Sequence, residues 1–232
     1  MNIANLSTTE IIEGIFSNNI AIVSKAITII ESTKPEHRSI ANKIIEGCIS
    51  KNHDTIRIGI TGVPGAGKST FIEQFGNLLT GLGKKVAVLT VDPSSSRTKG
   101  SILGDKTRMQ ELVKDPNAYI RPSASGSSLG GVTRKTRESI VILEAAGFDI
   151  ILIETIGVGQ SETAVHDMVD FFLLLKLAGA GDELQGIKRG IIEMADSIVI
   201  NKSDGNNVQN AAQAKMEFAR ALHMFPPKEN GW

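Results

Sequence analysis

The sequence has 232 residues, of which 41% are hydrophobic and 22% are charged, and its formal net charge is zero. This is the composition of an ordinary globular protein, and the length suits one α/β domain with an appendage. The neutral balance gives no global attraction to nucleic acid or to an anionic membrane, and the longest apolar runs are far shorter than the ~20 residues of a membrane-spanning helix.

Cys48 is the only cysteine, so no intramolecular disulfide can form. The first residues also carry no secretory signal. Both features favour a reducing cytoplasm.

Isoleucines recur at helical spacing through the first fifty residues, with an interruption at Pro35. We predict two or three helices that form an N-terminal appendage over residues 1–54. The appendage either packs on the main domain or contacts a partner, and the sequence leaves both readings open.

From Thr55 onward, apolar runs that predict strands alternate with helical patterns. The predicted strands are 56–60, 85–91, 118–121, 149–153, 169–175 and 197–200. The predicted helices are 69–82, 105–114 and 133–146, the last closed by Gly147. This alternation indicates an α/β fold with a doubly wound, mostly parallel sheet and right-handed crossovers. Lys176 stands beside an apolar run where an apolar residue is expected.

A complete phosphate-binding motif lies between the first of these strands and the helix after it. Residues 62–69 read G-V-P-G-A-G-K-S and fit G-x-x-x-x-G-K-[ST] at every fixed position. The amides of such a loop and the helix N-terminus attract phosphate oxygens, while Lys68 reaches the β- and γ-phosphates and the Ser69 hydroxyl binds Mg²⁺. The predicted nucleotide-binding residues here are Gly62, Val63, Pro64, Gly65, Ala66, Gly67, Lys68, Ser69 and Thr70.

An N-K-x-D motif, formed by Asn201, Lys202 and Asp204, follows the last predicted strand. An ionised aspartate only accepts hydrogen bonds, and guanine offers it two adjacent donors, N1–H and the 2-amino group. Adenine lacks both, so the motif predicts selection of guanine. The alternative is an ordinary loop in which Asp204 caps the next helix.

Glu154 and Gly157 end another apolar run, where many GTPases carry D-x-x-G. The acid can serve a hydrated Mg²⁺ through water, and the glycine amide can sense the γ-phosphate. Val158 stands where Ras-like enzymes place the glutamine that orients the attacking water, and whether Gln160 reaches that water is open. We therefore predict slow intrinsic hydrolysis that a partner or an ordered loop accelerates.

Three further features are candidates for the same site. Asp92 and Asp105 can join the Mg²⁺ shell, although Asp92 can also be a turn acceptor and Asp105 a helix N-cap. The glycine-rich, charged segment 179–188 indicates a mobile loop near the nucleotide, or else a surface connection.

These motifs together resemble the MeaB/ArgK family, the methylmalonyl-CoA mutase-associated GTPases. The resemblance runs from about residue 10 to the end, and its residues are V-D-P-S-S-S at 91–96, L-G-G at 129–131, E-T-I-G-V-G-Q-S-E at 154–162, G-A-G-D-E-L-Q-G at 179–186 and N-K-S-D-G at 201–205, with the phosphate loop.

The resemblance implies a P-loop NTPase fold that uses GTP/GDP and Mg²⁺. It implies a chaperone that gates adenosylcobalamin loading, or protection, of methylmalonyl-CoA mutase or a related B12-dependent acyl-CoA mutase. It also implies that Asp92, Asp105 and Glu154 lie around the metal with Ser69. Residues 182–188 would then be a switch that the mutase orders, with Gln185 and Lys188 as candidates to assist hydrolysis beside Lys68 and Glu154.

Members of this family continue into another strand, a second guanine-contacting loop and a C-terminal helical arm for dimerisation, whereas this sequence stops at Trp232. We therefore expect a GTPase domain over residues 55–232 that is incomplete at its C-terminus, without the arm that makes the family's homodimer. A truncated, hydrolytically weak nucleotide-binding fragment stays open as a second function. A transport-system kinase or ATPase, as in older naming of the family, finds no protein-kinase signature in the sequence. A GTPase for another metal centre, such as nickel, is opposed by the lack of a His- or Cys-rich tract.

Overall fold

The structure, a computed structural model, describes residues 6–51, 53–91, 109–122, 129–155, 161–178 and 189–226. The helices within these ranges are α1 (Thr8–Phe16), α2 (Ile20–Glu31), α3 (Pro35–Ile49), α4 (Lys68–Gly81), α5 (Leu129–Ala145), α6 (Ser161–His166), α7 (Arg189–Met194) and α8 (Val208–Leu222). The strands are β1 (Ile56–Thr61), β2 (Val86–Val91), β3 (Ala118–Arg121), β4 (Ile150–Thr155), β5 (Phe171–Leu177) and β6 (Ser197–Asn201). Two 3₁₀ helices span Leu112–Lys114 and Gly205–Asn207.

The strands within the described ranges form one parallel sheet in the order β3-β2-β4-β1-β5-β6. The chain moves outward from β1 to β2 and β3 on one side, returns at β4, and continues to β5 and β6 on the other side. The predicted doubly wound α/β fold is confirmed. Such a sheet binds ligands at the carboxyl ends of its strands, next to the point where the strand order reverses, and here that point lies at β1.

Side chains of the sheet alternate between two buried layers, because successive residues of a strand point to opposite faces. On one face, Ala87 and Ile151 belong to a cluster that includes α1, α2, α3 and α5. On the other face, Val88 and Leu152 pack with α4 and with the segment that contains Leu112. Burial on both faces explains why β2 and β4 are apolar at nearly every position.

The three N-terminal helices pack on α5, which itself covers the sheet. Helix α1 begins with a capping box, in which the Ser7 hydroxyl accepts from the main-chain amide of Glu10 and the Glu10 carboxylate accepts from the amide of Ser7. Asn18 Nδ2 donates to the carbonyl of Ala146 at 2.6 Å. Packing of the helices on the main domain is thus observed, while a separate unit ending at residue 54 stays a prediction.

Two local features differ from the sequence expectation. The helix predicted at 105–114 is described only from residue 109, and there the chain makes a turn and a 3₁₀ helix. Leu112 packs so closely on α4 that a Cβ added at Gly76 would lie 2.6 Å from its Cδ2 atom.

Lys176 is buried in β5, where its ammonium lies 5.2 Å from the centre of the Phe218 ring of α8. The aromatic face gives this buried cation a favourable contact.

None of the helices in the described ranges combines the length and the hydrophobicity that a bilayer crossing requires.

Candidate nucleotide-binding site

The loop from Gly62 to Gly67 joins the carboxyl end of β1 to the N-terminus of α4. Gly62 has a φ of 153°, and a Cβ at this position would lie 2.4 Å from the carbonyl oxygen of Leu175 in β5. Gly67 has a φ of 88°, and a Cβ there would lie 2.6 Å from Asn201 Nδ2. Both positions need glycine, because the backbone conformation is left-handed and a neighbour occupies the space of a side chain. The loop therefore makes a tight turn at the N-terminus of α4, and the main-chain amides of such a turn and helix end can bind phosphate.

Lys68 opens α4 and is buried. Its Nζ atom donates to the carbonyls of Gly62 at 2.7 Å and of Val63 at 3.2 Å. These contacts hold the ammonium within the loop that would cradle the phosphates. Its contact with the β- and γ-phosphates stays a prediction.

Ser69 and Glu154 are joined across the sheet edge. The Ser69 hydroxyl donates to Oε1 of Glu154 at 3.0 Å, although the two residues are 85 positions apart in the sequence. Glu154 is buried next to the end of β4, paired in register with Ile60 of β1. A hydroxyl and a carboxylate are hard oxygen donors, so this pair fits Mg²⁺, which takes one or two protein ligands and keeps several waters. Among the described residues, no three His, Cys, Asp or Glu side chains converge as a metal site of their own.

Thr61 and Thr155, the last residues of β1 and β4, are joined by a hydrogen bond of 2.8 Å between their buried hydroxyls. Sequence reasoning missed this pair. The available signal was that one threonine directly precedes the phosphate loop and the other directly follows Glu154 of the predicted metal motif. The bond ties the start of the phosphate loop to the strand that carries Glu154.

The base-recognition motif leaves β6 beside the phosphate loop. Asn201 Nδ2 donates to the carbonyl of Ala66 at 2.8 Å. Lys202 adopts a φ of 54°, and its carbonyl accepts from Asn207 Nδ2 at 2.8 Å. Asp204 is exposed and precedes the 3₁₀ helix Gly205–Asn207, and its side chain makes no capping hydrogen bond to that helix. The capping alternative for Asp204 therefore finds no support, and the residue is exposed to solvent.

The structure joins Glu154 to Ser69 and Asn201 to Ala66 of the phosphate loop, and Lys202 and Asp204 follow Asn201 in the chain. The predicted positions Asp92, Asp105, Gly157, Gln185 and Lys188 lie outside the described residues. Val158, Gln160 and the proposed switch segment lie there as well, so these assignments stay predictions.

Comparisons with known proteins agree with this geometry. A family profile described as "Methylmalonyl Co-A mutase-associated GTPase MeaB" matches residues 23–232. A protein of Mycobacterium tuberculosis named as a probable GTPase is 56% identical over 212 residues, which cover 91% of this chain and 63% of the relative. GTPase ArgK of Escherichia coli is 50% identical over the same share of this chain and 64% of its own length. The mouse protein "Methylmalonic aciduria type A homolog, mitochondrial" is 51% identical over 94% of this chain and 55% of its own length.

Solved structures give the same fold. A crystal structure described as "LAO/AO transport system kinase" superposes with a TM-score of 0.82 and 40% identity, covering 97% of this chain and 66% of that chain. The Signal Recognition Particle 54 kDa protein of Aeropyrum pernix K1, in complex with GDP, shares the fold at a TM-score of 0.50 and 16% identity, covering 90% of this chain and 55% of that chain. The chain thus spans less than two thirds of the curated relatives named above, and within that span it belongs to the MeaB/ArgK family of methylmalonyl-CoA mutase-associated GTPases.

Proposed function

We propose that this chain binds GTP and GDP with Mg²⁺ and hydrolyses GTP to GDP and phosphate. The observation that carries the proposal is the hydrogen bond from Asn201 to the carbonyl of Ala66, which joins the base-recognition motif to the phosphate loop. Either motif alone occurs in proteins with other roles. Their direct contact gives one site the means to hold a phosphate chain and to select a purine.

Different residues of the site are proposed to bind the phosphates, the metal ion and the base. The amides of residues 62–69 and the Lys68 ammonium neutralise phosphate oxygens, and Ser69 and Glu154 hold Mg²⁺. When bound, Mg²⁺ supplies positive charge to the phosphate oxygens on which negative charge develops. Asp204 accepts hydrogen bonds from the two adjacent donors of guanine. Asp92, Asp105 and Gly157 are proposed to complete the metal and γ-phosphate shell.

Hydrolysis by the chain alone is proposed to be slow, since valine at position 158 cannot orient a water molecule. Gln185 and Lys188 are proposed to assist when a partner orders the segment that contains them. The proposed partner is an adenosylcobalamin-dependent acyl-CoA mutase, with this protein gating cofactor loading or protecting the mutase in the cytoplasm. The family match and the name of the mouse relative support this client.

Calorimetric titration with nucleotides tests the binding proposal. GTP and GDP should bind with Mg²⁺, ATP should not, and Lys68→Ala should weaken both guanine nucleotides. Asp204→Asn should lower GTP affinity and create affinity for XTP, because the amide donates to the 2-oxo group that xanthine carries in place of the guanine amino group. Asp54→Asn is the matched control, since Asp54 is exposed beside the opposite end of β1. Equal GTP and ATP binding, or no switch toward XTP, would refute the assignment of Asp204.

The client proposal needs a separate measurement. Single-turnover GTP hydrolysis is followed with and without purified methylmalonyl-CoA mutase, and Lys188→Ala and Gln185→Ala are compared with the unchanged chain. We expect at least about tenfold acceleration by the mutase, and we expect both variants to lose it. GTP binding without any acceleration would favour the hydrolytically weak fragment instead.

A further inference from the structure

A cavity of about 380 Å³ lies between the N-terminal helices and α5, away from the phosphate loop and the base-recognition motif. Its walls are the end of α2, the connection into α3, the first turns of α3, and the side of α5 that carries Gly131 and Glu138. None of the residues from 62 to 70 or from 201 to 204 contributes to it. This volume is in the range of a site for one small molecule.

The lining is strongly cationic. It contains Lys34, Arg38, Arg134 and Lys135, against the single carboxylate of Glu138. Glu138 is already engaged, because its Oε1 accepts from Arg134 Nε at 2.7 Å. The protein as a whole has zero net charge, so this surplus of positive charge is local. Cations gathered in this way create a positive potential that an anion relieves.

Two of the cations are available to a ligand. Among the described residues, neither Lys34 nor Arg38 lies within ion-pair distance of a carboxylate, and both side chains are exposed at the mouth of the cavity. Lys135 is held differently, because its Nζ donates to the main-chain carbonyl of Glu31. That bond fixes α5 against the end of α2 and keeps the cavity wall in place.

The rest of the lining combines the polar residues Ser32, Thr33 and Asn42 with a group of apolar side chains. Ile30 is buried, and Ile29, Ala41 and Ile45 are half-buried on the floor between α2 and α3. A cationic rim above an apolar floor matches a molecule with an anionic group at one end and an apolar body at the other. A fully hydrated inorganic ion would leave the floor unused.

We propose that this cavity binds a small amphipathic anion, with a phosphate or carboxylate group on Lys34 and Arg38 and an apolar body on the isoleucine floor. The occupant is a small molecule because a cavity of about 380 Å³ is in the size range of small-molecule sites. The site is independent of the nucleotide site, so each can fail its test without the other.

Fluorescence titration of 1-naphthyl phosphate into the full chain, first without nucleotide and then in saturating GDP and Mg²⁺, tests the proposal. We expect saturable binding that GDP does not displace and that is at least about tenfold tighter than binding of neutral 1-naphthol. The double variant Lys34→Glu/Arg38→Glu should weaken binding at least about tenfold, and Arg38→Gln should give an intermediate loss. Lys43→Glu is the matched control, since Lys43 is exposed on the same helix outside the cavity and should leave affinity unchanged.

Circular dichroism of each variant establishes that the helices persist, and Arg38→Gln keeps the test valid if the double variant unfolds. Displacement by GDP, equal affinity of all variants, or absence of binding at millimolar probe would overturn the proposal. Binding of hexaglutamate in place of the naphthyl probe would assign the cavity to an acidic protein segment and would overturn it as well.

Discussion

Replacing Gly67 by alanine tests whether the phosphate loop and the base-recognition loop are held together as the structure indicates. Gly65 supplies the matched control, because both glycines have a similar left-handed conformation, with φ of 88° and 83°. They differ in what a Cβ would meet. At Gly65 no atom lies within 4 Å, whereas at Gly67 the Cβ would lie 2.6 Å from Asn201 Nδ2.

The expected magnitudes follow from that difference. Each substitution costs about 1–2 kcal/mol for the left-handed backbone, offset in part by the reduced entropy of the unfolded chain. Gly67→Ala also pushes the Asn201 amide away from the carbonyl of Ala66. Ala66 is fully buried, so its carbonyl is left without this partner, at a further cost of about 1–3 kcal/mol. Gly67→Ala should therefore destabilise the chain by about 1–3 kcal/mol more than Gly65→Ala.

Urea unfolding without nucleotide measures the free energy of unfolding of each variant. Repeating both glycine substitutions in an Asn201→Ala background completes a double-mutant cycle. With the amide absent, the excess cost of Gly67→Ala should vanish and the two glycine variants should become equal within about 0.5 kcal/mol. An excess that persists without Asn201, or no excess in the unchanged background, would refute the proposed contact.

Three further predictions concern single interactions. Thr61→Val leaves the Thr155 hydroxyl without its 2.8 Å partner and should lower the free energy of unfolding by about 1–3 kcal/mol. The variant with valine at both positions should regain most of this loss. If the losses of the two single variants simply added in the double variant, the pairing would be contradicted. Burial alone raises the pKa of Asp170, but the hydrogen bonds from Arg57 outweigh it and hold that pKa below its usual range. The resulting stabilisation is about 0.5–1 kcal/mol for this half-exposed pair. It is present at neutral pH and is lost as the pH falls below about 4. The free energies of unfolding of the protein and of Asp170→Asn should therefore converge in acid, and a constant difference between them would contradict the prediction. Burial raises the pKa of the Cys48 thiol to about 11, so at pH 7.5 the folded chain should react with N-ethylmaleimide at least about 100-fold slower than in denaturant, and rapid labelling of the folded chain would contradict the packing of α3.

The parts of the site that could be predicted are those whose functional residues follow one another in the sequence. The phosphate loop could be recognised because its glycines, lysine and serine must follow one another in a single turn between a strand and a helix. The same holds for Asn201 to Asp204, and the apolar runs of the buried strands predicted the sheet because both faces of those strands are covered. These features depend on local spacing, which a sequence displays directly.

Contacts between distant residues could not be predicted in this way. The bond from Asn201 to Ala66 spans 135 positions and that from Thr155 to Thr61 spans 94. The first bond requires β5 beside β1 and β6 beside β5, and the second requires β4 beside β1. Nothing in the local sequence fixes that order. The 3₁₀ helix Leu112–Lys114 is a similar case, because tertiary packing on Gly76 overrides the helical pattern of its own residues.

The two halves of the candidate site differ in how deeply the strands that carry them are buried. The phosphate half grows from β1 and β4, whose carboxyl ends are fully buried and joined by the threonine pair. The base half grows from β6, which is half-buried at every position and, among the described strands, pairs on one side with β5 alone. Damage to the first half should lower the affinity for every nucleotide, whereas damage to the second should lower the preference for guanine first. The hydrogen bond from Asn201 to Ala66 is a side-chain link by which the buried half holds the exposed half in place, and we therefore expect selectivity to be the property most sensitive to its loss.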